Sequence, residues 1–429
     1  MSAVLDAVHE FREAARLFSR PARFYLLAEF LMWTAHGIFS VLFNLYLVEA
    51  GFQESFVGQA ISVNAMGLAL MALPAGLLAE RWGRRNTLML GAVLEAVGHL
   101  ARASSTDGSL ILGSGFLLGA GQSFFQIAAA PFLTEHSGTR ERTHLFSTFF
   151  AAALLAGVVG SAVGGAIPLG LRFVWPALPL FGAYRVTLVV GAVLAMTAVL
   201  PLLALRGLHE PRLTHEERKV PPAQMALMWP IALNALLIGA GAGLVIPFMN
   251  LYFKDRFQCS SAQIGGFFAV AQIVTAAASL IGPSLARKFG KLRTAVASEL
   301  LSLPFLVTLG AEQRLGIAVG SFWMRAVLMQ AATPLVQAFV MEVLPPALRA
   351  RSTSLNNMLW NLGWAISATT AGSVIQHFGY AVPFYITAAL YATAALTFFA
   401  AFRGVKEQGS RVRLSEEAKG RLGDGPGTD

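Results

Sequence analysis

The chain has 429 residues, of which 55% are hydrophobic and only 13% charged, and its formal net charge is +9. Soluble proteins contain roughly 25% charged residues, so this composition excludes a soluble globular domain, a disordered chain and a nucleic-acid-binding domain. It indicates a protein with many membrane-spanning helices. One cysteine excludes an internal disulfide, and no histidine pair has metal-ligand spacing, so we expect no metal, no cofactor and no enzyme activity.

Long apolar runs broken by charged or turn residues predict twelve membrane-spanning helices. The predicted spans are 24–48, 56–79, 87–103, 109–133, 145–169, 184–205, 229–252, 262–286, 294–310, 315–343, 352–376 and 380–402. They divide the chain into an N-terminal amphipathic segment 1–23, a six-helix bundle 24–205, a linker 206–228, a second bundle 229–402 and a tail 403–429. The first segment either lies along the membrane surface or is a polar tail.

The distribution of Lys and Arg predicts the orientation of these spans. With the N-terminus inside, 25 of the 32 basic residues fall in cytoplasmic segments and six, Arg102 and Arg185 among them, in outer loops or at the outer ends of spans, with Arg325 alone deep inside a span. Basic residues are retained on the cytoplasmic side of a membrane. The N- and C-termini and the linker are therefore predicted to be cytoplasmic.

The two halves of the sequence repeat at an offset of 206 to 207 residues. Six landmarks recur in the same order, pairing Asn44 with Asn250, Gly58 with Gly265, Arg84 with Lys291, Glu135 with Glu342, Arg142 with Arg349 and Gly165 with Gly372. Because each half holds six spans, both halves enter the membrane in the same direction. The fold is predicted to be an all-α membrane protein of two parallel six-helix bundles.

The loop between spans 2 and 3 reads GLLAERWGRR from Gly76 to Arg85. This loop resembles the signature G-x-L-A-D-R-x-G-R-R/K of the major facilitator superfamily, with Glu80 in place of the usual Asp. The resemblance covers nearly the whole chain and implies that the loop is a conformational latch, the alternative being a topology anchor. The candidate latch residues are Gly76, which would allow close helix approach, Glu80, Arg81, Gly83, which would form a tight turn, Arg84 and Arg85.

Ionisable side chains inside a span are costly, so each requires a function or a partner. Arg325 in span 10 is either an anion-binding or proton-controlling residue or a member of a buried ion pair, for instance with Glu299. Glu29 in span 1 is a candidate for the proton-carrying acid that the family resemblance implies, or it reaches the interface beside Arg23. His36 lies on the same face, as a proton relay or as a packing residue.

Other polar side chains are expected in the substrate and proton pathway or in contacts between helices. The amides are Asn64, Gln122, Gln126, Asn234, Asn250, Gln272 and Gln330. Asn357, Trp360, Asn361 and Trp364 recur at i, i+3, i+4 and i+7 and therefore form one face of span 11. Glu95 and Arg102 in span 3 predict a structural ion pair.

Span 5 contains Gly160-Ser161-x-x-Gly164-Gly165. This resembles the G-P-x-x-G-G signature of antiporters in the same family, with Ser161 in place of proline, and small residues four apart permit close helix packing. Span 4 lacks the arginine that such exporters usually carry.

The resemblance implies a secondary transporter that works by rocking its two halves about a central site. We expect proton-coupled export of a small lipophilic or amphipathic molecule by a monomer in a prokaryotic inner membrane, in contact with lipid and protons but not with nucleic acid. The alternatives are an uptake symporter or uniporter for a polar or anionic solute bound by Arg325, and a non-transporting receptor. The sequence contains no nucleotide-binding loop, so ATP is not the expected energy source.

Overall fold

The structure is a computed structural model that describes residues 18–138, 141–205 and 227–405. These residues form twelve long helices, so the predicted fold class is confirmed. They are α1 Arg20–Glu49, α2 Glu54–Trp82, α3 Arg84–Ser104, α4 Gly108–Glu135, α5 Arg142–Val174, α6 Leu180–Thr197 continued by Val199–Leu203, α7 Met228–Val245 continued by the 3₁₀ turn Ile246–Phe248 and by Met249–Phe257, α8 Ser261–Phe289, α9 Lys291–Ala311, α10 Leu315–Val343, α11 Pro346–Phe378 and α12 Ala381–Phe402. Most of the predicted amphipathic segment, linker and tail lies outside the described residues.

Local sequence explains where several helices begin and turn. Ser19 caps α1 by accepting a hydrogen bond from the backbone of Ala22, so α1 starts earlier than the sequence predicted. Gly83 between α2 and α3 has φ +95°, and Gly290 between α8 and α9 has φ +88°. This backbone region favours glycine, so the tight turn predicted at Gly83 is confirmed and is repeated in the second half.

Ten of the twelve helices are long and apolar enough to cross a membrane. Among the described helices, the two that fall short are α3 and α11, which carry more polar side chains along their length. α3 packs against α4 and α6, and α11 packs against α2 and α7, and such contacts between helices can satisfy polar groups. The chain is a multi-pass membrane protein.

Helix packing repeats between the halves. In the first half α1 lies against α5 and α6, and α4 lies against α2 and α3. In the second half α7 lies against α11 and α12, and α10 lies against α8 and α9. The contacts follow the sequence repeat without inversion, which confirms that the halves are parallel repeats.

The halves meet along two helix crossings, α2 with α11 and α5 with α8. Gly58 faces the backbone of Gly372, and a Cβ at Gly165 would lie 3.0 Å from the Cα of Gly265. These four residues are the glycine landmarks of the sequence repeat. Each crossing therefore places a glycine of one half against a glycine of the other, so the backbones approach without intervening side chains.

Asn44 and Asn250 join the halves between α1 and α7. The amide of Asn44 donates to Asn250 Oδ1 at 3.2 Å and to the carbonyl of Pro247 at 2.5 Å. The amide of Asn250 donates to the carbonyl of Val41 at 2.9 Å. Because Val41 and Pro247 are themselves related by the repeat, the contact is self-complementary, as expected across a two-fold axis.

The two ends of the bundle differ in how tightly the halves meet. We call the end where α6 finishes at Leu203 and α7 begins at Met228 the linker end, and the opposite end, where α1 finishes at Glu49, the far end. The glycine crossings and the asparagine pair all lie in the half of the bundle nearer the far end. Along α11 no residue from 353 to 362 is buried, whereas Gly363, Ala365 and five further residues up to 375 are. The halves are therefore closed together at the far end and parted at the linker end.

The α5–α8 crossing predicts the effect of a larger side chain at Gly165. In Gly165→Val the added carbons would meet the backbone of α8, with Ser261 O only 2.5 Å from the Cβ position. Overpacking of this kind typically costs about 1–3 kcal/mol. We expect a lower thermal unfolding midpoint and several-fold faster alkylation of Cys259, the one cysteine of the sequence, which is buried near this end.

Gly170→Val is the matched control, because a Cβ at Gly170 on the same helix has no neighbour within 4 Å. Equal alkylation rates in the two variants would show that this crossing does not close the far end.

Candidate functional site

Glu29 lies inside the first half on α1 and is only 3% exposed. It accepts hydrogen bonds from Tyr25 Oη at 2.8 Å and from Trp33 Nε1 at 2.6 Å. No Lys, Arg or His among the described residues lies within ion-pair distance of it. The alternative in which Glu29 reaches the interface beside Arg23 is therefore wrong, because the carboxylate is held inward by two aromatic donors from its own helix.

His36 lies two turns further along α1, in contact with α4. Its Nε2 lies 2.9 Å from Gln122 Nε2, and Gln122 Oε1 accepts a long hydrogen bond of 3.5 Å from Asn64 Nδ2. Three of the predicted pathway residues, from α1, α2 and α4, thus form one hydrogen-bonded chain. An amide with two partners fixes the orientation of the imidazole ring.

Two further ionisable groups join His36 from α3, and sequence reasoning did not group them with it. Glu95 and His99 are 2% and 1% exposed, and the donor atoms of His36, Glu95 and His99 all lie within 4.8 Å of one another. Residues four apart share one face of a helix, so Glu95 and His99 reach α1 together. The spacing of Glu95 and His99 indicates that they share one face of α3. Only the structure shows that this face lies against α1 and His36.

The predicted ion pair between Glu95 and Arg102 is not formed. Arg102, expected in an outer loop, lies near the end of α3 and is 5% exposed. Its Nη2 donates to the carbonyl of Ala60 at 3.0 Å, and its guanidinium lies 4.0 Å from the ring centroid of Phe43. A cation–π contact and a backbone acceptor replace the carboxylate as partners.

A small cavity opens beside this cluster. It is lined by Met32, Trp33, His36, Glu95, Phe125 and Gln126. Gln126, another predicted pathway residue, therefore lies at the cavity together with His36. The walls combine three large apolar side chains with three polar ones around a cavity of about 20 Å³, which has room for little more than one water molecule.

The second half holds fewer buried charges. Arg325 on α10 and Glu299 on α9 are each 5% exposed, but no ion pair joins them within 4.0 Å in the described part of the chain. Both lie within electrostatic range of Tyr391 on α12. The ion pair considered for Arg325 is therefore absent, and its Nε has no hydrogen-bond partner.

The remaining amides of the predicted pathway do not converge on one point. Asn234 donates to the carbonyl of Ala394 at 3.4 Å, Asn250 lies in the contact between the halves, and Gln272 lies against Gly157 in the α5–α8 crossing. Gln330 is exposed on α10. The structure places the first three in helix contacts.

The polar stripe on α11 packs partly against α7. Trp360 and Trp364 stack with ring centroids 4.9 Å apart, and the backbone of Trp360 lies against Gly239. Asn361 donates to the carbonyl of Asn357 on its own helix at 2.8 Å. The one-face arrangement is present; the backbone of Trp360 contacts α7, whereas the described side-chain contacts of the stripe lie within α11.

The latch loop lies at the linker end. Arg84 Nε pairs with Glu135 Oε1 at 2.5 Å, joining the start of α3 to the end of α4. Lys291 pairs with Glu342 at the equivalent place in the second half, so these four landmarks of the repeat are two copies of one ion pair. Each pair ties two helices of the same half together.

The other latch residues are less buried than Arg84. Glu80 and Arg81 are exposed and Arg85 is half-buried. A Cβ at Gly76 would have no neighbour within 4 Å, so the close helix approach predicted there is wrong for this conformation. At the linker end the halves are parted, which leaves this part of α2 without a neighbour at Gly76.

The glycine motif of α5 faces two helices at once. Gly160 lies against Gly37 and Gly164 against Ile38, both on α1. Ser161 and Gly165 lie against Gly265 on α8. Gly160 and Gly164 therefore pack α5 onto α1 of its own half, and Ser161 and Gly165 pack it onto α8 of the other half.

Two parallel six-helix halves around polar intramembrane residues define a transporter rather than an enzyme. A family model of the Major Facilitator Superfamily matches residues 25–233 and again residues 231–424. The chain therefore belongs to the major facilitator superfamily.

Relatives and solved structures extend this assignment. The multi-drug resistance efflux pump PmrA of Streptococcus pneumoniae is 24% identical over 363 residues, covering 81% of this chain and 86% of PmrA. A bacterial homolog of the human lysosomal transporter Spinster, in an inward-facing and occupied conformation, superposes with a TM-score of 0.72 at 15% identity, covering 89% of this chain and 96% of that one. A D-xylose-proton symporter superposes with a TM-score of 0.69 at 16% identity, covering 91% and 98%. At these identities the two structures show the fold.

The repeated ion pairs predict unequal effects on stability. The side chains of Arg84 and Glu135 are 9% and 16% exposed, whereas those of Lys291 and Glu342 are both 28% exposed. Removing one partner of a more buried pair costs more, about 2–4 kcal/mol against about 1 kcal/mol. Glu135→Gln should therefore lower the thermal unfolding midpoint more than the isosteric change Glu342→Gln.

Equal shifts in the two variants would mean that burial does not set the strength of these pairs. The double variant Arg84→Glu with Glu135→Arg should recover part of the loss.

Proposed function

We propose that the chain exports a small lipophilic or amphipathic molecule in exchange for protons, with Glu29 as the proton-carrying group. The observation that carries the proposal is the environment of Glu29, which is buried among aromatic side chains and has no cation partner among the described residues. An uncompensated charge is costly in the membrane interior. Protonation of Glu29 removes this uncompensated charge. Proton binding and release therefore change the free energy of the conformation in which Glu29 is buried.

The surroundings support an apolar cargo. Met32, Trp33 and Phe125 line the cavity beside the cluster and provide apolar surface next to its polar groups. The sequence similarity to the efflux pump PmrA supports the same class of cargo and the outward direction. Few fixed charges at such a site permit substrates of varied shape.

The conformation supports a cycle of alternating access. The predicted orientation assigns the linker end to the cytoplasm, so a structure parted at the linker end and closed at the far end faces inward. Glu29 and Asn44 share α1 and are separated by 15 residues, or about 22 Å of helix. A shift of α1 at the proton site therefore moves the asparagine contact that closes the far end, and opening that contact exposes the site to the other side.

Purified protein in liposomes tests the coupling. With an outward-directed proton gradient, set by an acidic lumen, we expect accumulation in the lumen of a lipophilic fluorescent cation or neutral dye against its concentration gradient. Glu29→Gln keeps the shape of the side chain but cannot exchange a proton, so the gradient-driven component should fall at least tenfold. Downhill counterflow of the same dye should persist because the binding surface remains.

Glu54→Gln is the matched control, since Glu54 is the first residue of α2 and lies at the far end, away from the cluster. Gradient-driven transport that survives Glu29→Gln unchanged would remove Glu29 from the coupling mechanism.

Arg325 supports a second candidate, uptake of a polar or anionic solute. Its guanidinium is buried without the acidic partner that sequence reasoning considered, and an anionic substrate would supply that partner. This candidate predicts that organic carboxylates or phosphates raise the thermal unfolding midpoint of the protein and that Arg325→Ala abolishes the shift. No stabilisation by anions, together with stabilisation by lipophilic compounds that persists in Arg325→Ala, favours export.

A further inference from the structure

Three metal-binding side chains from two helices meet inside the first half. His36 comes from α1, and Glu95 and His99 come from α3, with their donor atoms all within 4.8 Å of one another. We propose that these residues form a binding site for a divalent transition-metal ion of the Zn²⁺ class. The absence of ligand spacing along single segments of the sequence predicted no metal site, whereas this site is assembled across α1 and α3.

The donor set fits such an ion. Two imidazoles and one carboxylate bind Zn²⁺ in sites that keep a fourth position open, with bonds of about 2.0–2.2 Å. Donors on one tetrahedral ion lie about 3.3 Å apart, so modest rotations of these side chains would complete the site. Imidazole donors also favour Zn²⁺, Ni²⁺ and Co²⁺ over Mg²⁺ and Ca²⁺, which prefer oxygen.

His99 gives an independent reason to expect a ligand. It is 1% exposed, and neither Nδ1 nor Nε2 has a hydrogen-bond partner. Most buried polar side-chain atoms have at least one partner. His99 instead packs against the ring of Phe39, with centroids 4.0 Å apart, and against the ring of His36. A bound ion would satisfy one ring nitrogen.

His36 is already oriented as a ligand usually is. Gln122 Nε2 lies 2.9 Å from its Nε2; because an amide nitrogen only donates, this bond puts the ring proton on Nδ1, and turning the Gln122 amide so that Oε1 accepts from Nε2–H would free Nδ1 for the ion. Metal-binding histidines commonly have one ring nitrogen held by a hydrogen bond of this kind. Gln122 is itself tied to Asn64, so α2 and α4 brace the ligand on α1.

Charge and access also favour a cation. Glu29 lies within electrostatic range of Glu95, so two carboxylates can balance a divalent ion. Arg102 on α3 lies within electrostatic range of His36 and His99, and its charge offsets one of the two carboxylates. Its guanidinium contacts the carbonyl of Ala60 and the ring of Phe43. The cavity lined by His36, Glu95 and Gln126 gives the ion an open position and a route of entry.

The fold does not require these side chains. The repeat places Ala242 at the position equivalent to His36, Ser302 at that of Glu95 and Leu306 at that of His99. The same helix packing is therefore built in the second half without any of the three donors.

The test uses tag-free, full-length protein in detergent after removal of metal with a chelator. We expect one Zn²⁺ per chain by calorimetry, and with Co²⁺ a visible absorption band that Zn²⁺ abolishes and Mg²⁺ does not. His99→Ala and Glu95→Gln should each weaken Zn²⁺ binding at least tenfold and remove the Co²⁺ band. His377→Ala should leave both unchanged, because His377 is exposed on α11 and bonded to Ser373 of its own helix.

His99→Gln serves if His99→Ala fails to fold, since it retains most of the volume of the ring. The proposal is overturned if the intact protein binds no stoichiometric Zn²⁺, or if binding survives in folded His99 and Glu95 variants.

Discussion

The two halves of a rocking transporter must touch closely enough to close one side and weakly enough to part again. Glycine at the crossings of α2 with α11 and α5 with α8 meets both demands, because backbones in contact seal the path without interlocked side chains. The asparagine pair adds a few directed hydrogen bonds that are replaced by water when the halves separate. The glycine crossings and the asparagine pair together close the far end. The internal repeat arranges these contacts symmetrically between the two halves.

The halves differ much more in charge than in packing. Glu29, His36, Glu95 and His99 all lie in the first half, whereas the second half buries Arg325 and Glu299 without pairing them. Their repeat equivalents are apolar or small, for example Ala235 for Glu29 and Leu118 for Arg325. Burying these ionisable groups costs free energy. Because the helix packing repeats without them, the fold does not require them. The two halves therefore share their helix packing and differ in their buried ionisable residues.

The sequence predicted the helices, the parallel repeat and the turn at Gly83, because apolar length and glycine spacing are local signals. It also selected Glu29, His36, Asn64 and Gln122 individually as polar residues in apolar spans. It could not group Glu95 and His99 with His36, because that requires knowing which faces of α1 and α3 meet. It paired Glu95 with Arg102 by spacing alone, whereas Phe43 and Ala60, distant in sequence, are the partners of Arg102.

The position of α1 links the charged cluster to the closure of the far end. Through Gly37 and Ile38 this helix packs on the glycines of α5, through Asn44 it reaches α7, and through Trp33 and His36 it lines the cavity. A change of charge at Glu29 would therefore act on the same helix that carries the asparagine contact with the other half.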